Sequence, residues 1–465
     1  MSKAGPPPGG ESPTELSAET LEAFAEGFRG ELLGPETAGY DEARQVWNGM
    51  VNKYPGVIAR CTGVADVVAA VTVAREHDLV VAVRGGGHNV AGSALCDGGI
   101  VIDLSGMNGV HVDPAARTVR AAGGATLGDV DRETQLFGLA TPLGVVSATG
   151  IAGLTLNGGI GHLRRKWGLA CDNLESVEVV TADGVVRTAS RAENPELFWA
   201  VRGGGGGVGV VTSFEYRLHE VGPEVFGLFV VHHGDHATEA MHAFREYSAS
   251  ATEDASVLAF TLFVPEIEEF SEAAWGEPAV GFIGCHLGTT EAAESEFDPL
   301  RTVAEPVADF SDQMPYTELQ TLLDEDYPDG RRYYWKATYV EELTDEILDL
   351  VVRREEASPS DLSTIDLWQL GGAIDDPARD ETAFWHRENA YMLTFEANWD
   401  DPATNDANVA WARDGIAEVR EMGVAGGTYG NFPGFEEDPA TAQFGGNEER
   451  LAAVKAEHDP TNLFG

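Results

Sequence analysis

Long apolar runs and signal-peptide features are absent from this sequence of 465 residues. No stretch reaches 18 consecutive apolar residues, which excludes a transmembrane helix. Residues 1–13 are polar and rich in proline and glycine, without the charged and then apolar layout of a signal peptide. We therefore expect a cytoplasmic protein that does not bind membranes.

Cysteine is scarce, and metal-binding spacings are missing. The four cysteines, Cys61, Cys96, Cys171 and Cys285, stand far apart and form no C-x-x-C pair. A chain of this size does not need disulfide bonds to be stable, so we expect free, buried thiols. The sequence also lacks an H-E-x-x-H motif, a Cys/His finger and an EF-hand loop, and it predicts no metal site.

Basic side chains are few as well. The chain has 30 Lys and Arg residues against 77 Asp and Glu residues, a formal net charge of −47, and only five of the basic residues are lysines. A surface this negative repels phosphate backbones and anionic lipids, which excludes nucleic acid as a partner. An even acidic coat with few lysines is typical of a halophilic cytosolic protein, because concentrated salt screens the repulsion. The charge leaves the oligomeric state open.

The chain nevertheless has the composition of a folded protein, with 43% apolar and 9% aromatic residues. From about residue 40 to 220, short strands and helices such as Val64–His77 are separated by glycine-rich segments. Beyond this point, apolar strands such as Tyr333–Tyr339, Thr364–Leu370 and Ala390–Ala397 alternate with amphipathic helices. This pattern predicts an α+β protein whose second half is an antiparallel sheet covered by helices.

Three glycine-rich segments lie in the first half: Arg84–Gly92, Thr149–Gly161 and Arg202–Gly209. The last contains a formal G-x-G-x-x-G, but a predicted helix precedes it and a strand follows it. This is the reverse of the Rossmann order, so a Rossmann site is not expected. Three glycine segments with hardly any basic residue nearby instead indicate a dinucleotide held mainly by backbone amides.

Several segments, in this order along the chain, resemble the berberine-bridge-enzyme-like FAD-linked oxidases, which carry a PCMH-type (vanillyl-alcohol-oxidase type) FAD-binding domain. They run from about residue 40 to 464: Tyr40–Arg44, Trp47–Gly49, Arg84–Gly92, Gly158–Gly161, Arg165–Leu169, Leu197–Arg202, Tyr333–Lys336, Tyr429–Phe432 and Asp459–Phe464.

The resemblance implies four regions. Residues 1–30 would be a flexible segment, 31–222 a two-lobed FAD-binding domain, and 223–428 a substrate-binding domain. Residues 429–465 would return to the FAD-binding domain.

The resemblance also implies a covalent bond between FAD and His88, through a ring nitrogen and the flavin 8α-methyl carbon. Without its context, His88 would be read as an ordinary loop histidine. Some relatives form a second flavin bond from a cysteine, but Val146 occupies that position here, so one bond is expected. Further FAD contacts are expected from the matching segments: Arg84, Gly85, Gly86, Gly87, Asn89, Val90, Gly92, Thr149, Gly150, Gly153, Asn157, Gly158, Gly159, Gly161, Asn173, Val210 and Asn431.

Catalysis in this family removes a proton from O–H or N–H while hydride leaves the neighbouring carbon for the flavin. Tyr429 matches the active-site tyrosine and is expected to act as the base beside Asn431. A tyrosine needs a positive neighbour for this role, and Lys336 is the candidate. Strand alternation directs Tyr334 to the same side as Lys336, although a plain aromatic strand with a solvent-seeking lysine explains that segment equally.

Gln369 and His386 are weaker candidates for substrate contacts. The resemblance therefore implies an FAD-dependent oxidoreductase that oxidises a C–H bond next to oxygen or nitrogen in a small organic molecule. O2, reduced to H2O2, is the expected electron acceptor. A dehydrogenase with another acceptor, an NAD(P)H-dependent reductase and a flavin-binding protein without turnover are the alternatives.

Overall fold

The computed structural model of the protein describes residues 16–435 and 437–465. Within them, the strands form three main sheets and one two-stranded ribbon. The first two sheets build two lobes in the N-terminal half, and the third builds the C-terminal half. Helices cover all three, so the predicted α+β class is confirmed.

The first lobe is a four-stranded sheet in the order β1-β2-β4-β3, in which β2, β4 and β3 run parallel and β1 is antiparallel. On helix α3, the apolar side chains recur every three or four residues, and this face packs on Ile100 and Ile102 of the sheet. The elements are α1 (Ala18–Gly27), β1 (Glu31–Leu33), α2 (Tyr40–Ala43), β2 (Val57–Arg60), α3 (Val64–Glu76), β3 (Val81–Arg84) and β4 (Ile100–Asp103).

The segment predicted to be flexible, residues 1–30, contains a helix. Residues 1–15 lie outside the described part, and helix α1 occupies residues 18–27. The Ser17 hydroxyl caps this helix by accepting from the Thr20 N–H, and Phe24 is buried in the core of the first lobe. Phe24 thereby attaches α1 to the first lobe.

The second lobe is an antiparallel five-stranded sheet in the order β5-β6-β10-β8-β9. Its helices pack on this sheet around Phe198, Phe214 and Tyr216. The elements are β5 (Val110–Asp113), β6 (Thr118–Ala122), α4 (Leu127–Thr134), β7 (Leu139–Ala140), α5 (Ile151–Leu156), α6 (Arg164–Trp167), β8 (Leu174–Val180), β9 (Val186–Ser190), α7 (Pro195–Ala200), β10 (Val210–Arg217) and β11 (His219–Glu220). Strands β7 and β11 form the two-stranded ribbon.

The C-terminal half is built on one large antiparallel sheet, in the order β15-β12-β14-β13-β18-β19-β17-β20, with β16 paired to β12. The strands are β12 (Glu224–His233), β13 (Ala255–Phe263), β14 (Pro278–His286), β15 (Ala308–Asp309), β16 (Asp312–Pro315), β17 (Arg332–Val340), β18 (Thr364–Gln369), β19 (Tyr391–Trp399) and β20 (Ala425–Gly426). The helices are α8 (Ala237–Ser248), α9 (Thr290–Arg301), α10 (Tyr316–Leu319), α11 (Asp345–Glu356) and α12 (Asn405–Glu421).

The two faces of this sheet have different neighbours. Helices α8, α9, α11 and α12 bury their apolar faces on one side of it, around Phe244, Phe297 and Trp411. The other side packs against the N-terminal half, where Trp368 and Met392 meet Ile160 and Tyr429. Both faces of the central strands are therefore buried, which explains their nearly continuous apolar sequences.

The last part of the chain returns to the N-terminal half. Its helices are α13 (Ala440–Phe444) and α14 (Glu448–His458). Leu451 and Val454 of α14 join the core of the second lobe, and Phe464 packs against the core of the first. The Asp459 carboxylate fixes the final turn by accepting from the backbone N–H groups of Leu463 and Phe464.

All four cysteines are free and buried, and burial raises the pKa of each thiol. The described residues contain no group of three or more His, Cys, Asp or Glu side chains placed to hold a metal ion. None of the helices given above combines the length and apolar character needed to cross a membrane.

Candidate active site

One cavity of about 370 Å³ lies between the two lobes and the large sheet. The N-terminal half contributes glycine-rich backbone from the loops after β3, before α5 and before β10. The large sheet contributes aromatic and acidic side chains from β17, β18 and β19. Tyr429 and Asn431, from the segment that follows β20, complete the wall.

The glycine wall depends on close contact between two loops. A Cβ atom on Gly86 would lie 2.4 Å from the Gly150 nitrogen, and one on Gly150 would lie 2.3 Å from the Gly86 nitrogen. No side chain fits at either position, so the backbones themselves form the cavity surface. Gly87 has φ +74°, a conformation that favours glycine and turns the chain toward His88.

The backbone N–H groups along this loop have no protein partner in the described part of the chain. Among the described residues, none of the N–H groups of the cavity-lining segment from Gly86 to Asn89 donates a hydrogen bond to another protein group. Free amides on a glycine loop can donate hydrogen bonds to the phosphates of a dinucleotide, so the phosphates can be bound without a basic side chain. The residues of this wall therefore fit FAD, as the sequence predicts.

His88 lines the cavity next to the glycine wall and stacks on Trp47. The two ring centroids are 4.9 Å apart with an interplanar angle of 15°, and Trp47 stacks in turn on Tyr333 at 3.7 Å. The Trp47 indole N–H donates to the Tyr327 carbonyl oxygen at 2.8 Å, which fixes the indole in its plane. The imidazole is therefore held in one orientation by an aromatic stack.

Burial lowers the pKa of His88 to about 4, although Asp329 and Asp324 act in the opposite direction. The imidazole is consequently neutral at pH 7, and a neutral ring nitrogen is the nucleophilic form.

Tyr429 is buried, with its phenolic oxygen surrounded by donors. The side-chain amide of Asn431 donates to this oxygen at 2.9 Å, and the backbone N–H of Ile160 donates at 3.2 Å. Burial raises the pKa of Tyr429 to about 12, while these donors act to lower it. The donors would stabilise a phenolate, and no lysine or arginine among the described residues takes part.

The structure does not bring Lys336 to Tyr429. Tyr334 and Lys336 do share one side of β17, as alternation predicts, but it is the side away from the cavity. There the Lys336 ammonium contacts Glu437 at 2.9 Å and Asp438 at 3.2 Å, and the Tyr334 hydroxyl also bonds to Glu437. Trp335, on the opposite side of the strand, lines the cavity instead. The predicted role of Lys336 beside the base is therefore wrong.

The two weaker candidates also lie off the main cavity. Gln369 accepts from the Val257 N–H at 3.3 Å and lines a separate polar cavity of about 170 Å³ beside Arg165. His386 stacks on Tyr339 at 4.4 Å and bonds to the Ala442 carbonyl oxygen.

The predicted cofactor residues divide into two groups. Those on the cavity wall are Gly85, Gly86, Gly87, His88, Asn89, Thr149, Gly150, Gly153, Asn157 and Asn431. Those behind it are Arg84, Val90, Gly92, Gly158, Gly159, Gly161, Asn173 and Val210. Arg84 is an example of the second group, because its guanidinium pairs with buried Asp103 at the start of the glycine loop that follows β3. Val146 lines the cavity.

Two carboxyl groups on the cavity wall were not predicted. Asp366 lies on β18 and Glu396 on the adjacent β19, and both side chains line the cavity. The Tyr327 hydroxyl donates to Glu396 at 3.2 Å, and the Thr394 hydroxyl donates at the same distance. The available signal was a lone acidic residue inside each of two apolar strands.

Burial raises the pKa of Asp366 to about 7. Burial and the neighbouring Asp366 raise the pKa of Glu396 well above its usual value. Since the pKa values of both groups are raised, the pair retains at least one proton at neutral pH.

Two protein-family models match regions of the chain that line the cavity. A family model described as "FAD binding domain" matches residues 55–190, which include the His88 loop and the start of α5. A second model, "Berberine and berberine like", matches residues 428–465, which include Tyr429 and Asn431.

Relatives match over nearly the whole chain. The (R)-6-hydroxynicotine oxidase of Paenarthrobacter nicotinovorans is 33% identical over 94% of this chain and 95% of its own. An FAD-linked oxidoreductase of Dictyostelium discoideum is 30% identical over 96% of each. The structure of BBE-like 1 from Physcomitrella patens superposes with a TM-score of 0.86 at 24% identity, over 96% of this chain and 97% of that one. This match confirms the predicted fold of a two-lobed domain and a helix-covered antiparallel sheet.

Proposed function

The chain belongs to the berberine-bridge-enzyme-like family of FAD-linked oxidoreductases, and from this premise we propose that it oxidises a C–H bond next to oxygen or nitrogen in a small organic substrate. FAD, bound covalently through His88, supplies the hydride acceptor. The observation that carries this proposal is that one cavity joins the glycine backbone, the neutral imidazole and the donor-surrounded Tyr429.

His88 and its neighbours prepare the covalent attachment. The imidazole is uncharged because burial lowers its pKa, so a ring nitrogen is available as a nucleophile. Stacking on Trp47 limits rotation of the ring, which reduces the entropy lost on reaching the reactive geometry. Gly86 and Gly150 keep the wall beside the imidazole free of side chains.

Tyr429 is the proposed proton acceptor. The Asn431 amide and the Ile160 N–H both donate to its oxygen, and they would hold the negative charge after the tyrosine loses its own proton. Burial raises the pKa of Tyr429 to about 12 even with these donors in place, so the phenolate also needs contact with the bound flavin to form near neutral pH. Phenylalanine at this position would remove the acceptor while preserving the ring packing against Phe432.

We also propose O2 as the electron acceptor, in a cytoplasm with a high salt concentration. A net charge of −47 supports the high-salt environment, because screening shortens the range of the repulsion to about 3 Å at 1 M salt. A dehydrogenase using another acceptor is the competing function.

The first test is flavin retention after acid denaturation of protein purified in about 2 M KCl, where charge screening is nearly complete. We expect yellow fluorescence to remain with the wild-type polypeptide and to separate from the His88→Ala variant. His111→Ala is the matched control, because His111 is exposed on β5 of the second lobe and does not line the cavity. Flavin that separates from the wild type would refute the covalent bond, and absence of flavin would refute the proposal.

The second test is turnover. A panel of amines, secondary alcohols and sugars is screened for H2O2 release and for reduction of an artificial acceptor. We expect H2O2 release in air with at least one class, and a loss of about 10²-fold or more in the Tyr429→Phe variant. Reduction of the artificial acceptor without H2O2 release would identify a dehydrogenase. A protein that retains flavin but turns over no member of the panel would favour a binding protein.

A further inference from the structure

One section of the cavity wall combines two acidic and three aromatic side chains: Tyr327, Trp335, Asp366, Trp368 and Glu396. We call it the carboxyl-aromatic wall. The register of strands β17, β18 and β19 places the four strand residues of this wall beside one another. Trp335 on β17 is the direct cross-strand partner of Glu396 on β19, and Asp366 and Trp368 lie two residues apart on the same side of β18. The Tyr327 ring meets Trp335 edge-on at 5.2 Å.

The charge of this wall has one sign. Among the described residues, no lysine or arginine lines the cavity, so no protein cation neutralises Asp366 or Glu396 from within it. Arg164 lies 5.5 Å from the Trp368 ring centre but does not line the cavity. Its guanidinium donates to the carbonyl oxygens of Gln369, Gly161 and Val257. An anionic ligand would therefore meet only acidic partners on this wall.

We infer that the carboxyl-aromatic wall selects a cationic substrate, namely a small organic amine that enters in its protonated form. A carboxyl pair that shares one proton keeps one negative charge, and a charge-assisted hydrogen bond to an ammonium group is stronger than one to a neutral hydroxyl. The indole and phenol rings beside the pair favour the same ligand through cation–π contact. The inference rests on the proposed function, and it assigns the amine rather than the alcohol or the sugar as the substrate class.

The test compares three ligands of one ring size and different charge: benzylamine, benzyl alcohol and benzoate. Binding to the purified flavoprotein is measured by isothermal titration calorimetry at pH 8 in 2 M KCl. We expect benzylamine to bind at least about tenfold more tightly than benzyl alcohol, and benzoate to bind most weakly. Equal binding of amine and alcohol, or tighter binding of benzoate, would overturn the inference. Because calorimetry needs no turnover, this result is separate from the fate of the proposed function.

The responsible groups are identified by substituting both carboxyls, Asp366→Asn together with Glu396→Gln, because either carboxyl alone could still carry the negative charge. This double change should lower benzylamine affinity about tenfold and leave benzyl alcohol affinity within twofold. Asp375→Asn is the matched control, because Asp375 lines the separate polar cavity. Amine affinity that survives both substitutions, or falls equally in the control, would contradict the assignment.

The pH dependence adds an independent readout. Benzylamine affinity should rise between pH 6 and 8, as the pair loses a proton while the amine stays charged. The other titratable groups that interact with the pair are Tyr327 and Glu355, and burial raises the pKa of both. Benzyl alcohol affinity should stay flat over this range, and a parallel rise for both ligands would contradict a charge effect.

Discussion

Two acidic pairs lie in the large-sheet half of the molecule and its C-terminal extension, and they differ in their counter-charges. Glu437 and Asp438 face Lys336, and Arg413 and Arg420 supply two further cations. Burial acts to raise both pKa values, but hydrogen bonds and attraction from these cations outweigh it and hold them below their usual values.

The cavity pair, Asp366 and Glu396, has no cationic partner among the described residues, and burial raises both of its pKa values. The same residue types therefore serve as a permanent structural anchor at one place and as a titratable site at the other. Both partners and depth set this difference, because Asp366 and Glu396 are fully buried whereas Glu437 and Asp438 are partly exposed beside cations.

The largest expected effect is a pH-dependent change in stability when Asp366 of the cavity pair is substituted. A group whose folded pKa is raised loses stability as pH rises from its unfolded value toward its folded value. For Asp366 this window runs from 3.8 to about 7. The neutral Asp366→Asn side chain avoids this loss, so the variant should match wild type at pH 4 and exceed it at pH 8 by up to about 4 kcal/mol.

Denaturant unfolding at both pH values, in the same KCl concentration, measures this difference. A stability change of the same size at pH 4 and pH 8 would show that Asp366 does not titrate with a raised pKa.

The second effect concerns the anchored pair. Lys336→Met would leave Glu437 and Asp438 with fewer cations in a partly buried place, and it should lower the free energy of unfolding by about 3 kcal/mol at pH 7. The pKa values of these carboxyls are lowered, so their contribution is present above the unfolded pKa and is lost as pH falls through the folded one. The deficit should therefore shrink toward pH 3, while flavin content stays unchanged at pH 7.

Lys166→Met is the matched control, since the Lys166 side chain is 30% exposed in its ion pair with Asp254, against 5% for Lys336, and its cost should stay below about 1 kcal/mol. If the two variants lose equal stability, the depth of the Lys336 cluster does not matter.

The third prediction concerns the protonation state of the basic side chain His88. Burial also keeps His88 neutral, with a pKa of about 4, despite the opposing effect of the Asp329 and Asp324 carboxylates. The rate of covalent FAD incorporation into apoprotein should therefore change less than about twofold between pH 6 and 8. A histidine with an ordinary pKa of about 6.5 would lose about fourfold at pH 6, because most of it would be protonated. A fourfold loss in incorporation experiments would contradict the neutral imidazole.

The smallest expected effect is a difference in salt dependence between the more exposed Lys166 ion pair and the buried Lys336 cluster. Salt screens exposed charges more strongly than buried ones. Raising KCl from about 0.2 to 2 M should remove the small deficit of Lys166→Met and leave most of the Lys336→Met deficit in place. Thermal unfolding of both variants against wild type measures this, and equal salt sensitivity would contradict the difference in burial.

Much of the fold could be predicted because its signals are local. Helix α3 shows its spacing of buried residues within the segment itself, and the glycines of the His88 loop indicate a backbone-lined site directly. The helix at the N-terminus was missed, since its short apolar face has meaning only against the core that buries Phe24.

The candidate site was harder to predict because it depends on which face of a strand meets the cavity. Alternation placed Tyr334 and Lys336 together correctly, yet nearly every residue of β17 is buried, so the sequence does not indicate the cavity side. The meeting of Asp366 with Glu396 depends on the register of β18 and β19, in which Thr364 pairs with Glu396. Such pairings join residues far apart in the chain and leave no local pattern.

The buried thiols have a practical consequence for labelling experiments. Since Cys61, Cys96, Cys171 and Cys285 are all enclosed and their pKa values are raised, they should react slowly with maleimide reagents. A cysteine introduced on the exposed side chain of Phe435, close after Asn431, would then be the dominant labelled position without removal of the native four. A fluorophore or spin label there would report directly on movement of the segment that carries Tyr429.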